Sequence, residues 1–432
     1  MKMANMDDYF DVVIVGTGAA GLYCALNLPA RYRILLLTKQ KADESDSFLA
    51  QGGICMQHGE ADYRPFFDDK MRAGHYENNP ATVDLMIRSS NSIIRDLVRR
   101  GVRFARDDHG ALRFTREGAH SRPRILFHED ITGHEITQTL LNEVLRCENI
   151  ELREHTTLLD FFADASACGG VIAAGPDGEP RAIGAGAVVL ACGGIGGLYK
   201  NSTNFPHITG DAIAMALRHG VACEHLDYIQ IHPTTLYSHR KGRRFLISES
   251  VRGEGALLLD KNGNRFTNEL QPRDVVSAAI RAQMEKDGTD HVWEDMRPIG
   301  EAAIREHFPN ILERCEEEGY DPIHEPIPVV PAQHYFMGGI TADLSSRTAL
   351  PRLYACGETC CNGVHGRNRL ASNSLLESLV FAQRAADDIL YGEPPVFTGD
   401  KPDLAPYREQ EPLFAAYRQE VLTAIERSKN HE

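Results

Sequence analysis

Gly16, Gly18 and Gly21 stand in G-x-G-x-x-G spacing, directly after the apolar, β-branched run Val12-Val13-Ile14-Val15. Glycine at the first position permits a tight turn. At the second it lets backbone approach a pyrophosphate, and at the third it lets a helix pack on the strand. The N–H groups that open such a helix, here from about Ala19, face the phosphates, and the helix dipole favours the anion. The chemistry this spacing serves is dinucleotide binding. A plain glycine-rich turn would use the same residue types, but the placement between a buried strand and a helix favours the dinucleotide. One part is altered: the second strand, Ile34 to Leu37, should end in an acidic residue for a ribose hydroxyl. It runs instead into Thr38 and Lys39.

The elements that must position this motif can be read along the chain. Val12 to Val15 reads as a strand buried on both faces of a parallel sheet. Residues 42 to 60 are small and polar, with Gly52 and Gly53 adjacent, which suits a loop laid close along a cofactor. Residues 80 to 100 and 132 to 147 show helical spacing of apolar side chains, and 102 to 130 reads as a hairpin or excursion. A further buried strand, Ala187 to Ala191, runs into CGGIGG at 192 to 197. The stretch from about 226 to 334 is more charged, contains the only tryptophan, and reads as an inserted domain. The α/β character then returns: a strand ends near Glu358 and a long helix starts near Ser372. The tail, opened by prolines, places Phe414, Tyr417, Val421 and Ile425 on one face of a docked helix.

Composition narrows the partners. The 432 residues allow two or three domains. A net charge of −15 argues against nucleic acid or an anionic membrane as partner, so an anionic substrate needs a local basic pocket. No stretch is long and apolar enough to cross a bilayer, and the N-terminus MKMANMDDYF lacks an apolar signal core. Ten scattered cysteines suit reduced thiols in the cytoplasm. The cluster Cys356, Cys360 and Cys361 lacks a second ligand pair at zinc spacing, so no metal is expected.

The motifs SFLAQGGI, AVVLACGGIGG, HPTTLY, SESVRGEGALL, NRFTNELQPRD and GVHGRNRLASNSLLES follow in this order. Together they resemble the flavoprotein-subunit family of succinate dehydrogenases and fumarate reductases, over roughly residues 8 to 395. The likeness is greatest to the branch that oxidises L-aspartate. The resemblance implies an α/β fold: a Rossmann-like FAD-binding domain in two parts, 1–225 and 335–395, interrupted by an α+β capping domain, 226–334. The region 396–432 is a short helical C-terminal tail where such oxidases usually carry a larger helical domain.

FAD is the cofactor implied. Gly16, Thr17, Gly18, Ala19 and Ala20 would hold the pyrophosphate, and Lys39 accounts for the missing acid. Asp46, Ser47, Phe48, Leu49, Ala50, Gln51, Gly52 and Gly53 would line the isoalloxazine. Asp211 and Glu358 would contact FAD, and Ser374 and Leu375 open the last long helix, whose N-terminus suits the negative charge of a reduced flavin. Capping of that helix is the simpler role for Ser372 and Ser374. Asp46 falls where succinate-oxidising relatives carry a flavin-linked histidine, so the FAD is expected to be noncovalent.

The same resemblance gathers His232, Arg273, His334 and Arg369 into one site, with Ser248 as a hydroxyl donor. Two imidazoles and two guanidiniums suit a dicarboxylate, because Arg binds carboxylate bidentately. Arg273 occupies the family's proton-transfer position, although its free pKa of roughly 13 makes it a poor base. Glu117 would face the ammonium that distinguishes aspartate from succinate; a surface glutamate on a hairpin is the plainer alternative. The implied reaction is oxidation of L-aspartate to iminoaspartate, with oxygen or fumarate taking the electrons and the product passing to quinolinate synthase for NAD biosynthesis. A soluble fumarate reductase or succinate dehydrogenase is the alternative, opposed by Glu117 and Asp46. A non-catalytic electron-carrying subunit is opposed by the dicarboxylate clamp.

Overall fold

The strand Tyr9–Val15 lies inside a seven-stranded sheet. It pairs in parallel with Ile34–Leu37 on one side and Pro180–Leu190 on the other, and Ile150–Arg153 extends the sheet beyond Ile34–Leu37. Along its other edge the long strand Pro180–Leu190 is shared between two further neighbours. Val188 to Leu190 pair in parallel with Leu353–Ala355, while its earlier residues pair antiparallel with Cys168–Ala174, which pairs in turn with Thr157–Ala163. The computed structural model describes residues 8–239, 242–392 and 395–430. The opening segment, read above for a signal core, falls largely outside them.

Side chains of the central strands alternate between two cores. Val12, Ile14, Ile34, Leu36 and Val189 enter one, beneath the helices Ala19–Asn27, Pro80–Arg100, Thr132–Val144 and Ser374–Tyr391. Val13, Val15, Leu35, Leu37 and Val188 enter the other, beneath Asp211–Arg218 and the C-terminal helix Gln410–Lys429. A strand buried on both faces must be apolar throughout, which is why these runs read as continuous. The C-terminal helix docks through Tyr417, Val421 and Ile425, all buried, with Phe414 packed beside them.

The turn after the first strand depends on glycine. Gly16 has φ +113°, and a Cβ there would lie 2.1 Å from Ala191 O. A Cβ on Gly21 would lie 1.9 Å from Gly16 O, so the helix Ala19–Asn27 can approach the strand this closely only without one.

A second sheet is wholly antiparallel, in the order Ile229–Leu236, Ile327–Phe336, Val292–Asp295, Leu257–Leu259. With the helices Arg273–Asp287, Glu301–His307 and Pro309–Glu317 it encloses a core of its own, including Leu236, Val251, Ile280, Ile304, Ile311 and Val329. Its first and last strands in sequence are neighbours in space. The excursion 102–130 crosses towards this unit: Asp130, buried, accepts from Ile311 N at 2.8 Å and Asn310 Nδ2 at 2.5 Å, capping Pro309–Glu317.

Candidate active site

A cleft of about 1700 Å³, partly open to solvent, runs from the carboxyl ends of the parallel strands to the second sheet. Val15, Leu37, Ala191 and Cys356 mark those strand ends on its wall. This is where open α/β sheets bind ligands. Gly16, Thr17, Gly18 and Ala20 line it, as do Lys39, Asp46, Ser47, Leu49, Ala50, Gln51, Gly52, Gly53, Asp211, Glu358, Ser374 and Leu375.

Two residues expected at the cofactor do not line the cleft. Ala19 is fully buried in the core, and its N–H donates to Ser47 Oγ at 3.0 Å, so this amide is already satisfied. Phe48 also packs into the core, edge-on to His134, because the short 3-10 helix Asp46–Leu49 turns it inward. Neither serine caps the last long helix. Ser374 Oγ accepts from Arg369 Nη1 at 3.2 Å, and Ser372 donates to Glu117. The N-terminus of Ser374–Tyr391 has no side-chain cap, which leaves it suited to an anion.

The cleft fits FAD on its own evidence. Four polar atoms on its wall, Ser45 Oγ, Asp46 Oδ2, Gln51 Oε1 and Arg369 Nε, are buried and have no protein partner. Buried polar atoms ordinarily find one. Lys39 Nζ reaches Asp211 Oδ2 at 2.7 Å and His207 O at 3.1 Å, so the lysine and aspartate form one charged pair at the cleft rim. Burial pushes the Asp46 carboxyl up to about 7; its Oδ1 accepts from Phe205 N at 2.9 Å. Burial, reinforced by Asp46, raises Glu358 to about 8, and its Oε1 accepts from Phe336 N at 2.9 Å. Among the described residues no group of His, Cys, Asp and Glu is placed to hold a metal ion, and the ten cysteines are free.

At the other end of the cleft the basic residues converge. Arg273 opens the helix Arg273–Asp287, with Nε 2.7 Å from Glu249 Oε2 and Nη1 2.9 Å from Gln230 Oε1. Arg369, buried, lies over the Tyr335 ring at 4.5 Å from its centroid, and burial together with Arg273 lowers its guanidinium to about 10. His334 Nδ1 meets Thr203 Oγ1 at 2.7 Å. His232 and His334 come together because Ile229–Leu236 and Ile327–Phe336 pair, and their rings lie edge-to-face at 5.0 Å. Burial and the nearby Arg273 hold both imidazoles well below their usual pKa, so both are neutral near pH 7. His232 does not line the cleft. It sits behind, fully buried, with Nδ1 between the N–H and C=O of Thr234 and with Nε2 unpartnered, 3.6 Å from Glu249. Ser248 is on the wall, and its Oγ accepts from Ser250 N at 3.3 Å.

The central residue that the sequence reading passed over is Glu249. Arg252 Nη2 lies 2.7 Å from its Oε1, and Arg273 holds its Oε2. Burial alone would raise its pKa, but the two guanidiniums outweigh it and keep the carboxylate charged. A guanidinium–carboxylate–guanidinium chain therefore leads from the cleft into the second sheet. The i, i+3 pairing of Glu249 and Arg252 on a helix was its only local signal. Beside these groups, Glu117 is 3% exposed; Oε2 accepts from Ser372 Oγ at 2.6 Å and Oε1 from Ser250 Oγ at 2.9 Å. Burial raises its pKa, partly offset by Ser372. It is no surface hairpin residue.

A dinucleotide cleft at the strand ends, closed by a basic pocket beneath a second sheet, defines a flavoprotein dehydrogenase or oxidase. The family described as FAD binding domain matches residues 11–375. The L-aspartate oxidase of Clostridium perfringens is 48% identical over 380 residues, covering 88% of this chain and 86% of that protein. That of Nostoc sp. is 44% identical, covering 98% and 76%. Among solved structures, the E. coli quinol fumarate reductase superposes with a TM-score of 0.83 at 31% identity, covering 95% of this chain and 74% of that one. The chain belongs to the FAD-binding flavoproteins and, within them, to the L-aspartate oxidase family.

Proposed function

We propose that this protein oxidises L-aspartate to iminoaspartate with noncovalent FAD. The observation that carries the reading is the meeting of opposite charges in one cleft. Arg369, Arg273 and His334 stand on its wall with Ser248, and the buried carboxylate of Glu117 stands on the same wall. A dicarboxylate that also bears an ammonium satisfies both.

The residues divide the work. Arg369 and the neutral imidazole of His334 bind and orient the carboxylates, with Ser248 donating a hydroxyl; His232 supports His334 from behind. Glu117 meets the ammonium. Arg273 takes the proton at the reacting carbon or amine, as the family resemblance implies, and its ion pairs with Glu249 and onward to Arg252 support that reading. Bound FAD supplies the two-electron acceptor; Gly16, Thr17, Gly18, Ala20, Lys39, Asp46, Ser47, Leu49, Ala50, Gln51, Gly52, Gly53, Asp211, Glu358, Ser374 and Leu375 are the residues that would hold it. The unit 226–334 acts as a cap that excludes water. Oxygen or fumarate reoxidises the enzyme, and quinolinate synthase in the cytoplasm receives the product. No helix among the described residues is long and apolar enough to cross a membrane.

The purified protein, loaded with FAD and mixed anaerobically first with aspartate and then with succinate, tests this. Bleaching of the flavin by aspartate alone is expected; bleaching by succinate alone would overturn the reading in favour of a succinate-oxidising enzyme.

A further inference from the structure

Glu117 is held from two separate parts of the molecule. Ser372 lies in the loop before the helix Ser374–Tyr391, whereas Ser250 lies on the helix Glu249–Gly253 of the second-sheet unit. Each hydroxyl donates to a different oxygen of the carboxylate. Each oxygen therefore keeps a lone pair for a further donor.

Ser372 occupies the left-handed region, with φ +58°. A residue with a Cβ enters that region only against steric strain. Neighbouring contacts hold it there. Ser372 O accepts from Cys55 N at 2.9 Å, and the preceding Ala371 O accepts from Asn373 Nδ2 at 2.9 Å and faces His120 Nε2 at 3.1 Å. The other ring nitrogen of His120 lies 3.0 Å from Arg124 Nη1. Arginine only donates, so Nδ1 accepts and Nε2 carries the proton given to Ala371 O. Arg124 is fully buried, its Nε and Nη2 on Asp62 at 3.1 and 2.9 Å and its Nη1 on Asp69 at 2.8 Å. A rigid buried base thus fixes both Glu117's own loop and the turn that presents Ser372.

We infer that Ser250 and Ser372 are positioning residues that set the amine selectivity of the site. They aim the Glu117 carboxylate at the substrate ammonium. Ser250 rides on the capping unit, so the carboxylate is fully set only when that unit is closed on the body. The inference rests on the reading of Glu117 as the ammonium partner and adds how its geometry is imposed.

The test uses the FAD-loaded protein and the ratio of two kcat/KM values, for aspartate oxidation and for fumarate reduction by a reduced dye. Both substrates need the basic clamp, and only aspartate carries an ammonium. Ser250→Ala is expected to lower the aspartate-to-fumarate ratio about tenfold, the scale of one hydrogen bond to a charged group. Ser250→Thr, which keeps a hydroxyl, should restore most of it. Ser372→Gly relieves the backbone strain while removing the hydroxyl, so a fall in the ratio there as in Ser372→Ala assigns the effect to the hydroxyl. An unchanged ratio in Ser250→Ala and Ser372→Gly, beside a lowered ratio in Glu117→Gln, would overturn the inference and leave the role of Glu117 standing. An unchanged ratio in Glu117→Gln would overturn both.

Discussion

Arg273 and Glu249 are joined by a contact of 2.7 Å between Nε and Oε2, with both side chains nearly excluded from water. The guanidinium fork uses a second edge on Gln230. A lysine keeps the charge but cannot span both partners. Arg273→Lys should therefore bind FAD normally yet lose turnover of aspartate and fumarate alike. Disturbing one partner of a buried, hydrogen-bonded charge pair costs about 2–5 kcal/mol, or at least about thirtyfold in kcat/KM. Steady-state kinetics with flavin content measured in parallel checks this; near-normal activity would remove Arg273 from the mechanism.

Glu117→Gln should separate the two activities. A charge-assisted hydrogen bond is worth about 1.5–3 kcal/mol, so aspartate oxidation should fall roughly ten- to a hundredfold. Fumarate reduction should change far less. Parallel losses in the two assays would mean that Glu117 serves the fold or the flavin.

Asp46 stands on the cleft wall, and by the family resemblance it replaces a flavin-linking histidine with a side chain that does not form that bond. Acid precipitation of the loaded protein should release yellow flavin to the supernatant. Flavin retained in the pellet would contradict noncovalent binding.

Asp69, bound to Arg124, makes the fold sensitive to acid. Burial opposes ionisation of Asp69, but the Ser121 hydroxyl and amide and the Arg124 guanidinium outweigh it and hold the carboxyl below its usual range. A folded pKa below the unfolded value, near ~3.9, contributes stability above that value and loses it as the pH falls through the folded one. Thermal unfolding should show the wild type losing more stability than Asp69→Asn between pH 7 and pH 3. Asp69→Ala, which leaves Arg124 buried without one partner, should cost about 3–5 kcal/mol at neutral pH.

Asp130 fastens the second-sheet unit to the body through the N-terminus of Pro309–Glu317. Asp130→Ala should cost about 1 kcal/mol of capping energy and raise amide hydrogen exchange over residues 309–317. Exchange unchanged there would show that the clasp is incidental.

How much of this the sequence revealed depends on the kind of signal. The helix Pro80–Arg100 was legible because its apolar positions repeat and because Asn79, Pro80 and Gly101 punctuate its ends. The strand Cys168–Ala174 was not read, nor was its partner Thr157–Ala163. Its glycines and alanines have weak strand propensity, and it forms a strand because it is buried between two neighbours. The cofactor loop was legible in outline, but not which of its side chains turn inward: Phe48 is in the core and Ser47 faces the cleft, a matter of the 3-10 turn. The link from Glu249 to Arg273 and the hold of Ser250 and Ser372 on Glu117 stayed hidden because those partners lie far apart in sequence, which no local pattern encodes.

The strands that begin and end the second-sheet unit lie side by side. The chain therefore leaves the FAD-binding sheet and returns to it at almost one point. The unit can lengthen, shrink or be exchanged during evolution without stretching the sheet it interrupts. His232 and His334, carried on those adjoining strands, form the fixed threshold of this doorway. An exchange that kept those two strands would keep both imidazoles, and with them one face of the pocket that Arg369 lines.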